Sequence, residues 1–326
     1  MKVAVLYQAA PAPAKNGILK PMKEGGYSDS GADMAFCLRS GGIDVILPED
    51  CPDEKNNFHW VFPDTAEGIG QALSRGADTL WLNTVLFKGH PIESFAGKGL
   101  RAVGQNPQKA DFYDDKYAVN RFLAEKGLPV APQLLVRPGD PYEGPFPCVI
   151  KPIRGRGSQG VEAARSKAEY ECVLEKAVQS GKYGGVMMAE PYLPGREITV
   201  SVLPGGECLP VVERFRHQNG IAPYSGNVPV SENSLAIPME PELETLCRFC
   251  GEASRLLEAR ALIRIDGRQD DTGEFRLFDV NVKPNMTGAS RPHRCGQDSL
   301  TLLAARYAGL SYFDLLERLL GFAWEI

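Results

Sequence analysis

The chain contains no run of roughly 18 apolar residues, so no part of it reads as a membrane-crossing helix. It opens at once on the strand-like Val3-Ala-Val-Leu-Tyr7, with no cationic segment leading into a long apolar stretch. That pattern reads against a secretory signal and makes the cytoplasm the expected compartment. An excess of positive charge is also missing. A formal net charge of −5 argues against a general nucleic-acid binder. The eight cysteines, at 37, 51, 148, 172, 208, 247, 250 and 295, are scattered and do not form a disulfide framework. Only Cys247-x-x-Cys250 is a close pair. It lies within 242–260, where Leu243, Leu246, Phe249, Cys250, Ala253, Leu256 and Leu257 recur at helical spacing. Packing inside a helix therefore outweighs redox or zinc chemistry there. Internal repeats and low-complexity tails are absent as well.

What is present, in 326 residues with 43% hydrophobic side chains, suffices for two or three compact units. Strand patterns at 3–7, 44–47 and 78–83 alternate with helix patterns at 29–39 and 66–75, which predicts a parallel sheet wound with helices. The proline-rich stretch 9–26 reads as a long loop beyond the first strand and a candidate substrate wall. A second segment begins near Asn106-Pro107: a helix at 115–126, strands at 148–151, 161–164 and 186–190, and a helix at 168–178. A third holds strands at 197–203 and 210–216, the helix at 242–260, a hairpin over 262–282, and helices at 300–307 and 313–319. Boundaries near 107 and 188 divide the chain into 1–107, 108–188 and 189–326.

The hairpin carries the sharpest chemical signal. Arg264-Ile-Asp266 leads into a turn, and the chain returns through Phe278-Asp279-Val280-Asn281. Residues two apart in a strand share a face, so Arg264 joins Asp266, and Asp279 joins Asn281. A turn centred on Thr272-Gly273 sets Asp266 opposite Asp279 and Arg264 opposite Asn281, with Ile265, Val280 and Phe278 on the other face. Facing carboxylates repel unless a cation lies between them, and hard oxygen ligands suit Mg²⁺. Taken alone, the patch reads more readily as a solvated face on which Arg264 merely pairs with Asp279, since surface ion pairs are common.

Lys151 ends a buried strand and precedes Gly155-Arg-Gly157-Ser158-Gln-Gly160. Glycines admit phosphate oxygens close to backbone amides, and the lysine adds positive charge. The same residues match G-x-G-x-x-G, which leaves a nucleotide-binding oxidoreductase as a competing reading. That fingerprint opens a helix, however, and a strand pattern follows here, so the segment reads better as a hairpin flap over phosphates, with a plain structural turn as the alternative. Downstream, Glu190 and Glu197 flank a turn; they read either as acceptors for an adenine amino group and a ribose hydroxyl or, equally, as exposed charges.

Taken together, these segments resemble the ATP-grasp superfamily, and within it the D-alanine–D-alanine ligases. The resemblance runs from Asp115 to the C-terminus, with a looser match over 25–47. It is carried by Asp115-Lys116, Val149-Ile-Lys-Pro152, the 155–160 flap, Glu190-Pro-Tyr-Leu-Pro-Gly-Arg-Glu197, Arg264-Ile-Asp266, Asp279-Val-Asn281, Pro284-Asn-Met-Thr287 and Ser299-Leu. It implies an α/β fold, α+β in its later part: an N-terminal parallel α/β domain followed by a two-lobed ATP-grasp fold. By the same resemblance Lys116 and Lys151 hold ATP phosphates beneath Gly157, Ser158 and Gly160. Glu190, Leu193, Glu197 and Phe278 contact the nucleoside. Asp266, Asp279 and Asn281 hold Mg²⁺, as two ions replaceable by Mn²⁺. Arg264, Lys151 and Ser158 assist transfer of the γ-phosphate to a carboxylate, whose acyl phosphate an amine then attacks. Both partners are small molecules, and the family leaves room for a homodimer.

The departures from the family pattern fall at the reacting centre and the substrate end. Asp279 stands where the family has Glu, Asn285 where it has Gly, and Gly157-Ser158 where it has two serines. The acid that binds the first substrate's amino group falls near Gly25, with Glu24 beside it. The family's loop is not recognisable over 214–233, which offers Arg216, His217 and Tyr224 instead. Extra residues after Thr287 bring Ser290, Arg291, His293, Arg294 and Cys295 near the substrate, either to bind an additional anion or as a solvated insertion. Either Ser299 or Ser290 aligns with the carboxylate-binding serine. The expectation is thus a carboxylate–amine ligase for another amino acid or a peptide-like substrate. A divergent D-alanine–D-alanine ligase is the alternative, and a non-catalytic nucleotide sensor a more distant one.

Overall fold

The computed structural model describes residues 1–15, 18–20, 22–155, 157–222 and 230–326. Strands β1 (Lys2–Tyr7), β2 (Asp44–Val45), β3 (Phe62–Pro63), β4 (Thr79–Asn83) and β5 (Arg101–Val103) form a parallel sheet, whose β5 edge is closed antiparallel by Trp324–Glu325. Helices α1 (Ser28–Ser40) and α2 (Ala66–Ser74) pack on the two faces of β1. Val3 and Val5 join the core that includes Ala32, Met34 and Ala35 of α1, while Ala4 and Leu6 join Ile69 and Ala72 of α2. A strand covered on both sides needs an apolar residue at every position, which is the unbroken run seen in the sequence. The turn before α1 presses on the end of β1. Gly26 has φ 57°, and a Cβ there would lie 1.8 Å from the Gln8 carbonyl oxygen. Glycine is therefore required.

Next come α3 (Ala110–Tyr113) and α4 (Lys116–Glu125), then a four-stranded antiparallel sheet of β6 (Leu134–Val136), β7 (Cys148–Pro152), β8 (Glu162–Ala164) and β9 (Met187–Pro191). Helix α5 (Lys167–Gln179) covers it, and its apolar core, with Ile150, Tyr170, Leu174 and Met187, is separate from the others. Residues 155–160 lead into β8 and not into a helix, which removes the structural context a dinucleotide fingerprint needs.

The third sheet is antiparallel in the order β12-β11-β10-β13-β14, with β10 (Glu197–Val202), β11 (Val212–Arg214), β12 (Ser234–Ala236), β13 (Ile263–Gln269) and β14 (Phe275–Asn281). Helices α6 (Val230–Asn233) and α7 (Pro241–Leu256) lie within it in sequence, and α8 (Leu300–Tyr307) and α9 (Tyr312–Leu320) follow. Helix α7 stops short of the expected residue 260, and Glu258 beyond it takes φ 54°. Cys250 is buried in the core of this sheet, as the helical spacing predicts. Strands β2 and β11 are also shorter than their hydrophobic patterns suggest. Among the described residues no helix is long and apolar enough to cross a membrane.

Candidate active site

The third sheet aligns its polar residues by register. Glu197, Thr199 and Ser201 of β10 face Arg268, Asp266 and Arg264 of β13, while Asp266 and Arg264 face Asp279 and Asn281 of β14. Alternation then sends the set to one side, where Glu197, Arg264, Asp266, Arg268, Asp279 and Asn281 line the floor of a cleft. The cleft has two adjoining halves that share Lys116, Gly155, Ser158, Arg214, Asp266 and Asp279.

Each floor carboxylate already has a cation. Arg264 does not pair with Asp279, as the surface reading supposed. Its Nε and Nη2 donate to Asp266 at 3.1 and 3.2 Å, and the Thr199 hydroxyl donates to the same carboxylate at 2.5 Å. Burial pushes Asp266 up, but Arg264 above all, with Arg214 and Thr199, holds it below the usual carboxylate range. Asp279 takes Lys116 instead, with Nζ 2.5 Å from Oδ2. Lys116 opens α4, where the Asp115 carboxylate caps the Ala118 amide at 2.9 Å and the Lys116 amide donates to the Ile153 carbonyl at 3.1 Å. Arg154, just after β7, adds bonds of 2.9 and 3.1 Å to Asp114 and Asp115. The start of α4 is thus pinned to the end of β7, which delivers Lys116 to the floor.

Phe278 corrects the expected hairpin. Asp266 pairs with Asp279, but the next pair is Gly267 with Leu277, so Phe278 is an extra, bulged residue and the turn shifts by one. Leu277, not Phe278, lies in the apolar core beside Ile265 and Val280. Phe278 lines the nucleotide half of the cleft, with Lys151 Nζ 5.2 Å from its ring centroid. The Phe278 carbonyl, outside the ladder, accepts from Lys151 Nζ at 3.0 Å and Asn120 Nδ2 at 3.1 Å.

Lys151 also donates to Glu190 Oε1 at 2.8 Å, with both side chains buried. Burial raises the Glu190 carboxyl despite the lysine, and its Oε2 has no hydrogen-bond partner among the described residues. Leu193 lines the same half. Glu197 is held by His217 Nε2 at 2.8 Å, with Arg214 and Arg268 each 3.6 Å away. The sequence reading passed over Arg268, Thr199 and Arg214. All three were findable, the first from the Arg264-x-Asp266-x-Arg268 alternation and the others from the register that follows. Arg216 lies beside His217 in the left-handed region, φ 56°, and Tyr224 falls outside the described residues. In the flap, Gly157 and Ser158 line the cleft with φ 59° at each, whereas Gly160 packs against the Tyr183 ring.

The other half of the cleft extends past Lys20, Lys23, Tyr27, Asn83, Thr84, Lys283 and Asn285. Several expected substrate residues lie elsewhere. Glu24 is exposed and does not line the cleft, because the turn at Gly25 and Gly26 presents Lys23 and Tyr27 instead. Arg291 is neither a ligand for an added anion nor a solvated residue: it is 0% exposed, 2.9 Å from Asp33, with further bonds to the Glu54 and Asp29 carbonyls. Arg294 holds the same Asp33, and Ser290 Oγ donates to the Asp33 carbonyl at 3.1 Å. These residues staple the insertion to α1. His293 is exposed, and the Ser299 hydroxyl caps α8 by accepting from the Leu302 amide at 3.2 Å. Asn285 does line the cleft, although its side-chain oxygen accepts from Thr287. His90 pairs with Asp64 at 3.2 Å, 26 positions earlier, and Asp64 in turn holds the Thr84 hydroxyl on the cleft wall.

Two carboxylates in register with an amide oxygen beside them form a hard-oxygen donor set of the kind Mg²⁺ favours. In this structure Lys116 and Arg264 supply the counter-charge that such a facing pair needs; the oxygen-only chemistry of Asp266, Asp279 and Asn281 is what suits them to a divalent cation.

Comparison with known proteins identifies relatives of the chain and of its fold. The family described as the D-ala D-ala ligase C-terminus matches residues 123–321. A D-alanine–D-alanine ligase of Acidiphilium cryptum is 33% identical over 288 residues, covering 84% of this chain and 90% of that protein. One of Erythrobacter litoralis is 31% identical over 221 residues, and the chain spans only 65% of its length. Among solved structures, D-alanine–D-alanine ligase of Bacillus anthracis complexed with ATP superposes with a TM-score of 0.68 at 19% identity, covering 99% of this chain and 97% of that one. The VanG D-Ala:D-Ser ligase of Enterococcus faecalis gives 0.65 at 14% identity, covering 98% of each chain. The fold is that of these ligases, and by the span and identity of its sequence matches the chain belongs to the D-alanine–D-alanine ligase family.

Proposed function

We propose that the chain is an ATP-dependent ligase that joins a carboxylic acid to an amine through an acyl phosphate. One observation carries this reading: Lys116, Arg264, Asp266 and Asp279 converge where the two halves of the cleft meet. Lys151, Glu190, Leu193 and Phe278 suit the nucleotide in one half, and the open Glu190 oxygen is an acceptor suited to an amino group. Asp266, Asp279 and Asn281 would hold Mg²⁺, which supplies charge neutralisation at the phosphates. A carboxylate oxygen of the acid attacks the γ-phosphorus, the bond to the β–γ bridging oxygen breaks, and ADP leaves. The amine then attacks the acyl carbon, and phosphate departs with that acid oxygen while the amine loses a proton. Arg264 faces both developing charges, and Ser158 on the flap closes over the phosphates and excludes water.

The acid differs from alanine in this reading, and a divergent D-alanine–D-alanine ligase is the alternative. ADP release screened over acids and amines tests both. ATP–Mg²⁺, and not NAD, should raise the unfolding temperature. The Asp279→Ala variant should lose turnover while keeping its far-UV spectrum, and near-normal activity in it would sink the assignment of the floor.

A further inference from the structure

The half of the cleft away from the nucleotide does not end at its polar rim. Trp81, Val103, Leu262, Met286, Leu300 and Leu319 line it as well. All six belong to one apolar cluster, the one that also holds Val5, Ala32 and Leu315. Protein cores normally close on themselves, with few voids larger than a water molecule. Here the core cluster opens instead on a space of about 330 Å³, a size suited to a small molecule. Arg264, Asp279 and Asn281 line the same space, so a group in the recess belongs to a molecule held beside the reacting centre.

The walls of the recess are set by packed elements. Trp81 of β4 and Val103 of β5 are register partners and share a face of the sheet. Val103 is the last residue of β5, and parallel strands present ligands at that end. The Met286 carbonyl accepts from the Tyr312 hydroxyl at 2.7 Å, and Leu300 opens α8 behind the Ser299 cap. The polar side chains at this end are turned to the backbone. Gln105 Nε2 donates to the Ala261 carbonyl at 3.0 Å, and its Oε1 accepts from the Arg260 amide at 3.0 Å. The Tyr113 hydroxyl donates to the Leu257 carbonyl at 2.7 Å. A polar group entering here would lose its water without gaining either side chain as a partner, whereas an apolar group gains by burial.

We propose that one of the two molecules this ligase joins carries an apolar side chain, of leucine to phenylalanine size, that fills this recess. This rests on the ligase reading, and the test separates the two. The enzyme is given ATP–Mg²⁺ and a panel of acids, amines and amino acids of both hands. Their side chains run from methyl through isobutyl, thioether and benzyl to carboxylate and ammonium. ADP release gives kcat/KM, and mass spectrometry of the product shows which molecule supplied the acid and which the amine. At one of the two positions an isobutyl, thioether or benzyl side chain should exceed methyl roughly tenfold or more, because each methylene buried in such a pocket is worth about that factor. Val103→Phe, which fills the recess, should lower this ratio roughly tenfold, and Val103→Ala, which widens it, should move the preference toward benzyl. The rise in unfolding temperature on adding ATP–Mg²⁺ should persist in both variants, which shows the nucleotide site intact. Preference for a methyl or a charged side chain at both positions, or a ratio unchanged in every variant that folds, overturns the apolar proposal while leaving the ligase standing. Absence of ADP release with every pair overturns both.

Discussion

Arg291 shows how far a single side chain can depart from what its sequence neighbourhood suggests. Beside His293 and Arg294 it reads as part of an anion-binding cluster, yet it is buried against Asp33, a residue more than 250 positions earlier. Sequence proximity could not reveal that partner, because the contact forms only once α1 and the insertion are packed together. Breaking such a pair leaves a carboxylate buried, and Arg294 compensates only in part. Arg291→Met should therefore lower stability by roughly 3 kcal/mol in denaturant titration, with ADP release retained below the new midpoint. His90 teaches the same lesson at shorter range, since Asp64 reaches it across the end of the first sheet. By contrast, Lys116, Lys151, Arg264, Asp266 and Asp279 were legible as a group. Arg264, Asp266 and Asp279 share a hairpin with strong alternation, Lys151 lies near the end of a buried strand, and Lys116 comes from the family resemblance.

Among the elements, the β13–β14 hairpin is where sequence logic was nearly right. Alternation and the turn place Asp266 opposite Asp279, as observed. The bulge lies beyond the reach of that logic, because Phe and Leu are equally apolar and both faces of the strand accept them. Only the contacts of the freed carbonyl, with Lys151 and Asn120, fix which one is extra. Neighbouring substitutions should then behave in opposite ways. Phe278→Ala should weaken ATP binding roughly ten- to a hundredfold, measured calorimetrically, with little loss of stability. Leu277→Ala should cost roughly 2–5 kcal/mol in unfolding and leave the ATP affinity of the folded fraction unchanged. The short strands β3, β6 and β12 escaped the sequence reading for a simpler reason. Two or three residues do not establish a period.

At the scale of the whole molecule, the cores are unequal. One apolar cluster runs from Val3 and Val5 through α9 to Val212 and Ala236, which ties the first sheet to the third. The four-stranded sheet keeps a smaller cluster of its own and meets the rest of the cleft through polar links such as Lys151 to the Phe278 carbonyl and Arg154 to Asp114. Polar links exchange partners readily when a charged ligand arrives, whereas a shared apolar core does not. Hydrogen exchange should accordingly slow on adding ATP–Mg²⁺ mainly across residues 148–164, with β1 and β4 unchanged. Slowing spread evenly over the three sheets would contradict this division.

The extra residue in β14 also bears on how such a cleft can change over generations. Every polar side chain on the floor owes its orientation to a count along the strand, and the bulge offsets that count by one. Losing or gaining a single codon elsewhere in the strand would turn a whole row of side chains over, exchanging floor for core in one step. Replacements at residues such as Lys283 and Asn285, which line the cleft beyond the end of the strand, carry no such penalty. New substrates are therefore expected to arise from exchanges beyond the bulge, with the length of the hairpin held fixed.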